Sequence, residues 1–170
     1  MPSVPPSATY CGGRDHGLAV PRALTSWTPC ALGVIGGDPS VLVVDTSAVL
    51  AALAERVPDG ALVQRLSEDG DLHAPHLIDI EILQALRGLM RGGKLSADRA
   101  EDVRTDIADL VITRYGHEPL ADHVWALRDN LTAYDAAFVA LSEALGAPLI
   151  TCDARLAAAP GVVVECYPRG

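Results

Sequence analysis

From Val41 onward, short apolar runs alternate with longer segments of helical spacing, and this alternation limits the fold more than any other feature. The first run, Val41–Val44, is continuous and rich in β-branched residues, as expected of a strand that is buried on both faces. Further short runs are separated by segments long enough to form helices. Strands that alternate with helices predict an α/β fold around a mainly parallel, five-stranded sheet.

The element boundaries follow from apolar spacing and from the residues that start and stop helices. Pro75 is expected in the first turn of one helix, which Gly92 and Gly93 end, and Gly146 is expected to end another. The predicted strands are 41–44, 71–75, 110–113, 148–151 and 162–165. The predicted helices are 48–55, 61–68, 75–91, 96–110, 120–128, 132–145 and 153–159.

Residues 1–40 differ in composition from the rest of the chain. They contain six of the twelve prolines and six of the fifteen glycines, and they have no sustained periodicity. This composition predicts a poorly ordered N-terminal extension, or a start-site artefact, followed by a single domain over residues 41–170. A docking arm remains an alternative, because Trp27, Leu32 and Ile35 could contact another surface.

The charge balance excludes some classes of function. The chain has 13 basic and 22 acidic residues and a net charge of −9, and residues 41–170 hold the whole excess, with 20 acids against 11 bases. Such a domain lacks the basic face of a non-specific duplex-DNA binder, but it is compatible with an enzyme that acts on nucleic acid through bound metal. No uninterrupted apolar stretch reaches the roughly 18 residues of a membrane span, so we expect no membrane association.

The cysteines indicate neither a zinc ribbon nor a thioredoxin-like site, because Cys11, Cys30, Cys152 and Cys166 form no C-x-x-C pair. They are also too few for a disulfide scaffold. The segment before Tyr10 has no basic residue and three prolines, which is unlike a signal peptide. We therefore expect an intracellular, cytoplasmic protein with reduced thiols.

Two acidic residues directly follow predicted strands. Asp45 comes after the first strand and Asp153 after the fourth. In a parallel sheet, ligands bind beyond the carboxyl ends of the strands, so both carboxylates should face the same edge. The alternative for each is a helix N-cap, a position that Asp favours.

Two further acids lie inside predicted helices, among apolar neighbours. Glu81 follows Leu77 and Ile78 by one turn, and Asp135 has Phe138 and Val139 one turn later. A buried carboxylate must be neutralised, paired with arginine or bound to a cation, because leaving it unpaired costs several kcal/mol. The alternatives are an ion pair of Glu81 with Arg87 or Arg114, and a favourable interaction of Asp135 with the dipole of its helix.

If Asp45, Glu81, Asp135 and Asp153 meet, the site has a charge of up to −4 and cannot stay ionised without cations. Carboxylate oxygens are hard ligands, which suit Mg²⁺ or Mn²⁺ rather than zinc. One or two such ions can activate water and stabilise the departing oxygen of a phosphodiester. The pattern therefore predicts metal-dependent chemistry on a phosphate ester.

Three segments in this order resemble the PIN-domain ribonucleases, and most of all the VapC toxins of bacterial toxin–antitoxin pairs. They are VVDTSA (43–48), PHLIDIEILQALR (75–87) and LRDNLTAYDAAFVALSEALGAPLITCDARL (127–156). The third is the most specific, because an acid, a helix, a glycine stop, a strand and a second acid recur in the family's order. The likeness spans about residues 41–166, and the leader of 40 residues departs from the family pattern.

The resemblance implies a PIN-like three-layer sandwich and a Mg²⁺ or Mn²⁺ site that cleaves single-stranded RNA. It also implies a homodimer and a small cognate antitoxin that blocks the site. By match, the acidic and metal-binding residues are Asp45, Glu81, Asp135 and Asp153, and hydroxyl groups near them belong to Thr46, Ser47 and Thr151. Asp79 remains an alternative to Glu81 as the second acid.

Other interpretations of the motifs are weaker. Gly88–Lys94 imitates a phosphate-binding P-loop, but Leu95 replaces the required Ser or Thr and the segment follows a helix rather than a strand. A metal-dependent phosphatase could use Asp45 as its nucleophile, although Ser47 stands where such enzymes often have a second Asp. A catalytically inert module that binds RNA or antitoxin is the remaining alternative, and the presence of all four acids argues against it.

Overall fold

The computed structural model describes residues 40–67, 70–159 and 161–167. The predicted N-terminal extension lies outside the described residues, apart from Ser40. The strands are β1 Val41–Val44, β2 Asp71–Pro75, β3 Ile112–Tyr115, β4 Leu149–Thr151 and β5 Val164–Cys166. The helices of the described part are α1 Thr46–Leu53, α2 Gly60–Ser67, α3 Leu77–Arg91, α4 Ala97–Ala108, α5 Ala121–Ala126 and α6 Ala133–Leu145.

The strands form one sheet in the order β3-β2-β1-β4-β5, and every neighbouring pair is parallel. The chain moves outward from β1 to β3 on one side and then crosses back to β4 and β5 on the other. The direction therefore reverses between β1 and β4, and a crevice for ligands forms at the carboxyl ends of two such strands. The predicted five-stranded parallel sheet is confirmed.

The helices cover both faces of this sheet. Crossovers between parallel strands are right-handed. When the order in which strands are added to the sheet reverses, the connecting helices therefore lie on the opposite face of the sheet. Helices α1 to α4 connect the strands of the outward path, and α1 contacts α2, α3 and α4. Helices α5 and α6 lie on the return path and contact each other. The result is the expected three-layer α/β sandwich.

The core consists mainly of aliphatic side chains, as the aromatic content of 4% requires. Leu42, Val43 and Val44 of the central strand β1 are completely buried. Helix α6 is apolar around most of its circumference, and residues 136–142 are all buried. The first turn of α6, with the half-buried Asp135, is where this central helix reaches the carboxyl edge of the sheet.

Two predicted strands are wrong by about two residues, and both are edge strands. β3 begins at Ile112 rather than at 110, and β5 begins at Val164 rather than at 162. The valines just before them, Val111 and Val163, are 86% and 71% exposed. Pairing with β2 and β4 sets where these strands begin, and the hydropathy of the preceding residues does not.

The prediction that Pro75 starts a helix is also wrong. Pro75 is the last residue of β2, opposite Tyr115 of β3, and α3 begins at Leu77. The parallel pairing with β3 extends through this residue and holds it in the strand. In the same way, the helix expected over 153–159 is reduced to the 3₁₀ turn Leu156–Ala158.

Candidate active site

One cavity of about 1100 Å³ opens at the carboxyl edge of the sheet, and all four predicted carboxylates line it. Asp45 lies between β1 and α1, and Asp153 lies two residues after β4. Glu81 comes from the second turn of α3, and Asp135 from the first turn of α6. Four separate elements thus bring together acids that are up to 108 residues apart in the sequence.

Asp45 is the most buried of the four, with 5% of its surface exposed. Its Oδ1 accepts hydrogen bonds from the Ala48 amide at 2.9 Å and the Ser47 hydroxyl at 2.7 Å, and its Oδ2 accepts one from the Thr151 hydroxyl at 2.7 Å. Burial nevertheless raises the pKa of this carboxyl, against the opposing effect of these bonds, and nearby Asp153 raises it further. Asp45 is therefore both a helix N-cap, as one interpretation expected, and part of the acidic cavity.

Glu81 is half-buried and has a hydroxyl rather than a cation as its hydrogen-bond donor. The Thr46 hydroxyl donates to Glu81 Oε2 at 2.7 Å. Burial raises the pKa of Glu81, and the carboxylates of Asp135 and Asp45 raise it further. Two other acids of the predicted site, Asp135 and Asp45, therefore lie close enough to Glu81 to affect its ionisation.

The alternative interpretation of Glu81, an ion pair with Arg114, is wrong. Arg114 instead holds Asp79, the neighbouring candidate, with its Nε at 2.9 Å from Oδ2 and its Nη2 at 2.9 Å from Oδ1. The other proposed partner, Arg87, lines a separate cavity between α3 and α4. Asp79 does not line the acidic cavity, so the geometry favours Glu81 as the second acid.

The other two acids have local partners. Thr132, the N-cap of α6, accepts a hydrogen bond from the Asp135 amide at 3.2 Å and donates one to Asp135 Oδ2 at 2.9 Å. Asp153 forms an ion pair with Arg155, whose Nη2 lies 2.6 Å from Oδ2. The Arg155 side chain is 78% exposed, so this cation reaches the carboxylate from the solvent side.

Two of the three predicted hydroxyls, those of Ser47 and Thr151, link the ends of the two strands that flank the crevice, whereas Thr46 contacts Glu81 on α3. Ser47 Oγ accepts a hydrogen bond from the Cys152 amide at 2.8 Å, and the completely buried Thr151 Oγ1 accepts one from the Asp153 amide at 2.9 Å. Because both hydroxyls also donate to Asp45, this carboxylate is fixed to the end of β4. Sequence reasoning missed Thr132 as a supporting hydroxyl, although a Thr three residues before Asp135 is a capping signal.

The donor set fits a divalent cation. Oxygen atoms from four carboxylates and their hydroxyl partners are the ligands that Mg²⁺ and Mn²⁺ prefer. Burial raises the pKa of two of these carboxyls, Asp45 and Glu81, by more than their hydrogen bonds lower it. Within the described ranges, no three His, Cys, Asp or Glu side chains are grouped closely enough to hold a metal ion, so the four acids line one cavity without forming a ready-made ligand set.

Comparison with known proteins agrees with this fold. The model of the PIN domain family matches residues 42–162, which is most of the chain. Ribonuclease VapC1 of Mycobacterium tuberculosis is 41% identical over 124 residues, which cover 72% of this chain and 93% of that protein. The chain belongs to the PIN domain family, among the relatives of VapC.

Solved structures share the fold at lower identity. PAE2754 from Pyrobaculum aerophilum superposes with a TM-score of 0.62 at 24% identity and covers 81% of this chain and 92% of that one. VapBC2 from Rickettsia felis, solved bound to a DNA fragment from its promoter, gives a TM-score of 0.55 at 13% identity over 74% of this chain and 97% of that one.

No helix in the described part of this chain is long and apolar enough to cross a bilayer.

Proposed function

We propose that this protein is a Mg²⁺- or Mn²⁺-dependent endoribonuclease that cleaves single-stranded regions of RNA as the toxin of a toxin–antitoxin pair. The observation that carries the proposal is the shared cavity at the carboxyl edge, lined by Asp45, Glu81, Asp135 and Asp153. Local roles as caps account for Asp45 and Asp135 singly, but not for four acids around one cavity. The names of the VapC relatives support the assignment of RNA as the substrate.

The four carboxylates would hold the metal, since each offers oxygen atoms to the same cavity. When bound, a divalent cation polarises a phosphoryl oxygen and makes water a nucleophile at neutral pH. It would also offset the negative field of the domain, so that an acidic protein can accept a polyanion.

The protein's own groups orient the acids. Ser47 and Thr151 fix both oxygens of Asp45, Thr46 fixes one oxygen of Glu81, and Thr132 fixes one oxygen of Asp135. Hydroxyl donors leave the carboxylates charged and hold them in position, whereas arginine partners would compete with a cation. Such prior orientation lowers the cost of assembling a reactive geometry.

The proposed reaction is hydrolysis without a covalent enzyme intermediate. Water attacks phosphorus in line, a new P–O bond forms, and the bond from phosphorus to the 3′ oxygen breaks. The products are a 5′-phosphate and a 3′-hydroxyl. A phosphatase with Asp45 as nucleophile is disfavoured, because this carboxylate is buried and accepts hydrogen bonds at both oxygens.

The proposed partners are RNA, a small antitoxin and a second copy of the chain. The acidic cavity would accept an arginine or lysine side chain from a blocking antitoxin, by simple charge complementarity. For the homodimer, the supporting observation is an exposed apolar surface at Ile80, Trp125 and Tyr134, which are 69%, 69% and 66% exposed. Exposed apolar patches of this kind mark protein–protein interfaces.

The decisive experiment replaces Asp135 with asparagine. Wild type should cleave an unstructured RNA in Mg²⁺ or Mn²⁺, and Asp135→Asn should reduce the rate by at least about a hundredfold, because the metal provides several kcal/mol of transition-state stabilisation. The far-UV circular dichroism should remain native. Asp122→Asn, a change of equal charge at an exposed position of α5, serves as the matched control.

Full activity of Asp135→Asn, or cleavage that persists in excess chelator, would contradict the proposal. Product ends of the opposite kind, a 5′-hydroxyl with a 2′,3′-cyclic phosphate, would contradict the hydrolytic step. An inert binding module would bind the RNA and leave it intact under all of these conditions.

A further inference from the structure

The acidic cavity does not stop at the carboxylates. It continues between α1 and α3 as a groove whose far end is lined by Arg56 and Lys94, with one acid, Glu55, beside Arg56. Glu81 and Gly92 both line it, and they are eleven residues apart along α3, or about 16 Å at about 1.5 Å per residue. The floor between the two ends is formed by Leu50, Ala54, Ala85, Gly88, Leu89 and Leu95.

The two cations at the far end differ from most other basic residues of this domain. Arg65, Arg104 and Arg114 each contact a carboxylate through two nitrogen atoms. Arg56 and Lys94 are exposed and have no ion pair or side-chain hydrogen bond among the described residues. Two unpaired positive charges at the end of a groove are therefore available to an anionic ligand.

Gly88 keeps the floor of this groove open. A glycine in a helix interior costs about 1 kcal/mol relative to alanine. Packing does not require it here, because an added Cβ would meet no atom within 4 Å, and the backbone is not left-handed. The missing side chain thus widens the path between the carboxylates and the two cations.

We propose that Arg56 and Lys94 form a phosphate-binding subsite, which holds the RNA strand a few nucleotides away from the bond that is cleaved. This inference rests on the proposed function, since RNA then already occupies the acidic end of the same groove. Aromatic side chains are absent from the lining residues in the described part, so the contact is with the phosphate backbone and not with stacked bases. The subsite should therefore add affinity regardless of base sequence.

The test compares two double variants that remove the same charge. The double variant Arg56→Gln/Lys94→Gln removes both cations of the proposed subsite. The control, Arg87→Gln/Arg91→Gln, removes two exposed cations that line the separate cavity beside α4. Both are made together with Asp135→Asn, so that the RNA stays intact. Fluorescence anisotropy then measures the binding of unstructured RNA in two lengths, one confined to the acidic end and one spanning the whole groove.

We expect the Arg56/Lys94 double variant to lose at least about tenfold in affinity for the longer RNA and little for the shorter one. Its plot of log affinity against log salt should become less steep by about 1.4, or about 0.7 for each lost phosphate contact of a single strand. In the active background, the same double variant should lose kcat/KM on long RNA through a higher KM rather than a lower kcat.

Equal losses in the two double variants, or an unchanged preference for longer RNA, would overturn the inference. Failure of the proposed function is distinguishable, because it appears as absent cleavage by the wild type. The binding comparison does not depend on cleavage and is decided separately.

Discussion

Two acids on α3, only two residues apart, lie in opposite environments. Asp79 faces the outer flank of the sheet, where Arg114 of β3 contacts both of its oxygens. Glu81 faces the cavity, where the Thr46 hydroxyl donates a hydrogen bond to it and where neighbouring carboxylates add to its negative surroundings. On the outer flank, Arg114 neutralises the charge of Asp79. In the cavity, Glu81 lies near the further negative charges of Asp135 and Asp45.

The difference separates structural acids from functional ones better than burial does. An acid paired with arginine is already satisfied and has no need of a ligand, whereas a group of acids held by hydroxyls needs a cation. Asp153 is intermediate, because it lines the cavity and also has Arg155 as a partner. The contrast between Asp79 and Glu81 can be tested by exchanging one charge at a time.

The largest difference between the two acids is expected in the rate of RNA cleavage. Glu81→Gln should lower the rate of RNA cleavage by at least about a hundredfold, because a ligand oxygen of the proposed metal loses its charge. Asp79→Asn changes the same charge on the same helix and should leave the rate within about twofold. Initial rates on one unstructured RNA measure both. Similar losses in the two variants would mean that the contrast has no functional meaning.

Cation binding should show the same asymmetry without any reference to activity. At a Mn²⁺ concentration of about 100 times Kd, the free energy of unfolding of the wild type should rise by about 2.7 kcal/mol. Asp79→Asn should keep this gain, and Glu81→Gln should lose most of it at the same concentration. Urea denaturation with and without Mn²⁺ gives the values. An equal gain in both variants would remove Glu81 from the proposed ligand set.

The stability of the cation-free protein should depend on pH in the direction set by the raised pKa values of Asp45 and Glu81. As the pH rises from about 4, the unfolded chain loses these protons before the folded chain does. Stability therefore falls between the ordinary and the raised pKa values and stays lower above them. Asp45→Asn should weaken this decline and raise the Tm at pH 7 by a few degrees.

The measurement is a series of thermal denaturations in chelator from pH 4 to pH 8, with Asp79→Asn as the reference. A steeper decline in Asp45→Asn than in wild type would contradict the uncompensated charge that we assign to this cavity.

The smallest effect is expected on the outer flank. Arg114→Gln should lower the free energy of unfolding by about 0.5–1 kcal/mol, since the pair with Asp79 is partly exposed and such pairs contribute little. Cleavage should stay within about twofold. A double-mutant cycle with Asp79→Asn isolates the pair itself. A coupling energy of zero would show that this ion pair contributes no stability.

The central part of the fold could be predicted from the sequence, but its edges could not. β1 was predicted to the residue, because a strand buried on both faces must be a continuous apolar run. β3 and β5 lie at the two edges of the sheet, where the exposed valines Val111 and Val163 resemble strand residues but precede the strands. Their boundaries depend on register with β2 and β4, which no local pattern reveals.

The same limit applies to the site. Strand ends were sufficient to predict that Asp45 and Asp153 would share an edge, and the resemblance to the PIN-domain ribonucleases added Glu81 and Asp135. They could not separate Glu81 from Asp79, because two residues on a helix differ by about 200° in direction and the deciding partner is Arg114 on another strand. The basic end of the groove could not be predicted from the sequence either. Arg56 and Lys94 line the same cavity only because α1 packs beside α3.

The hydrogen bond from Thr151 to Asp45 and the contact between the hydroxyls of Ser47 and Thr151 join residues more than one hundred positions apart. A chain that is still being synthesised thus has Asp45 long before it has Thr151, which fixes the second oxygen of that carboxylate. Chains that stop before β4 therefore lack Asp153 and the bond that fixes Asp45, and the acidic cavity is complete only once these residues have been made.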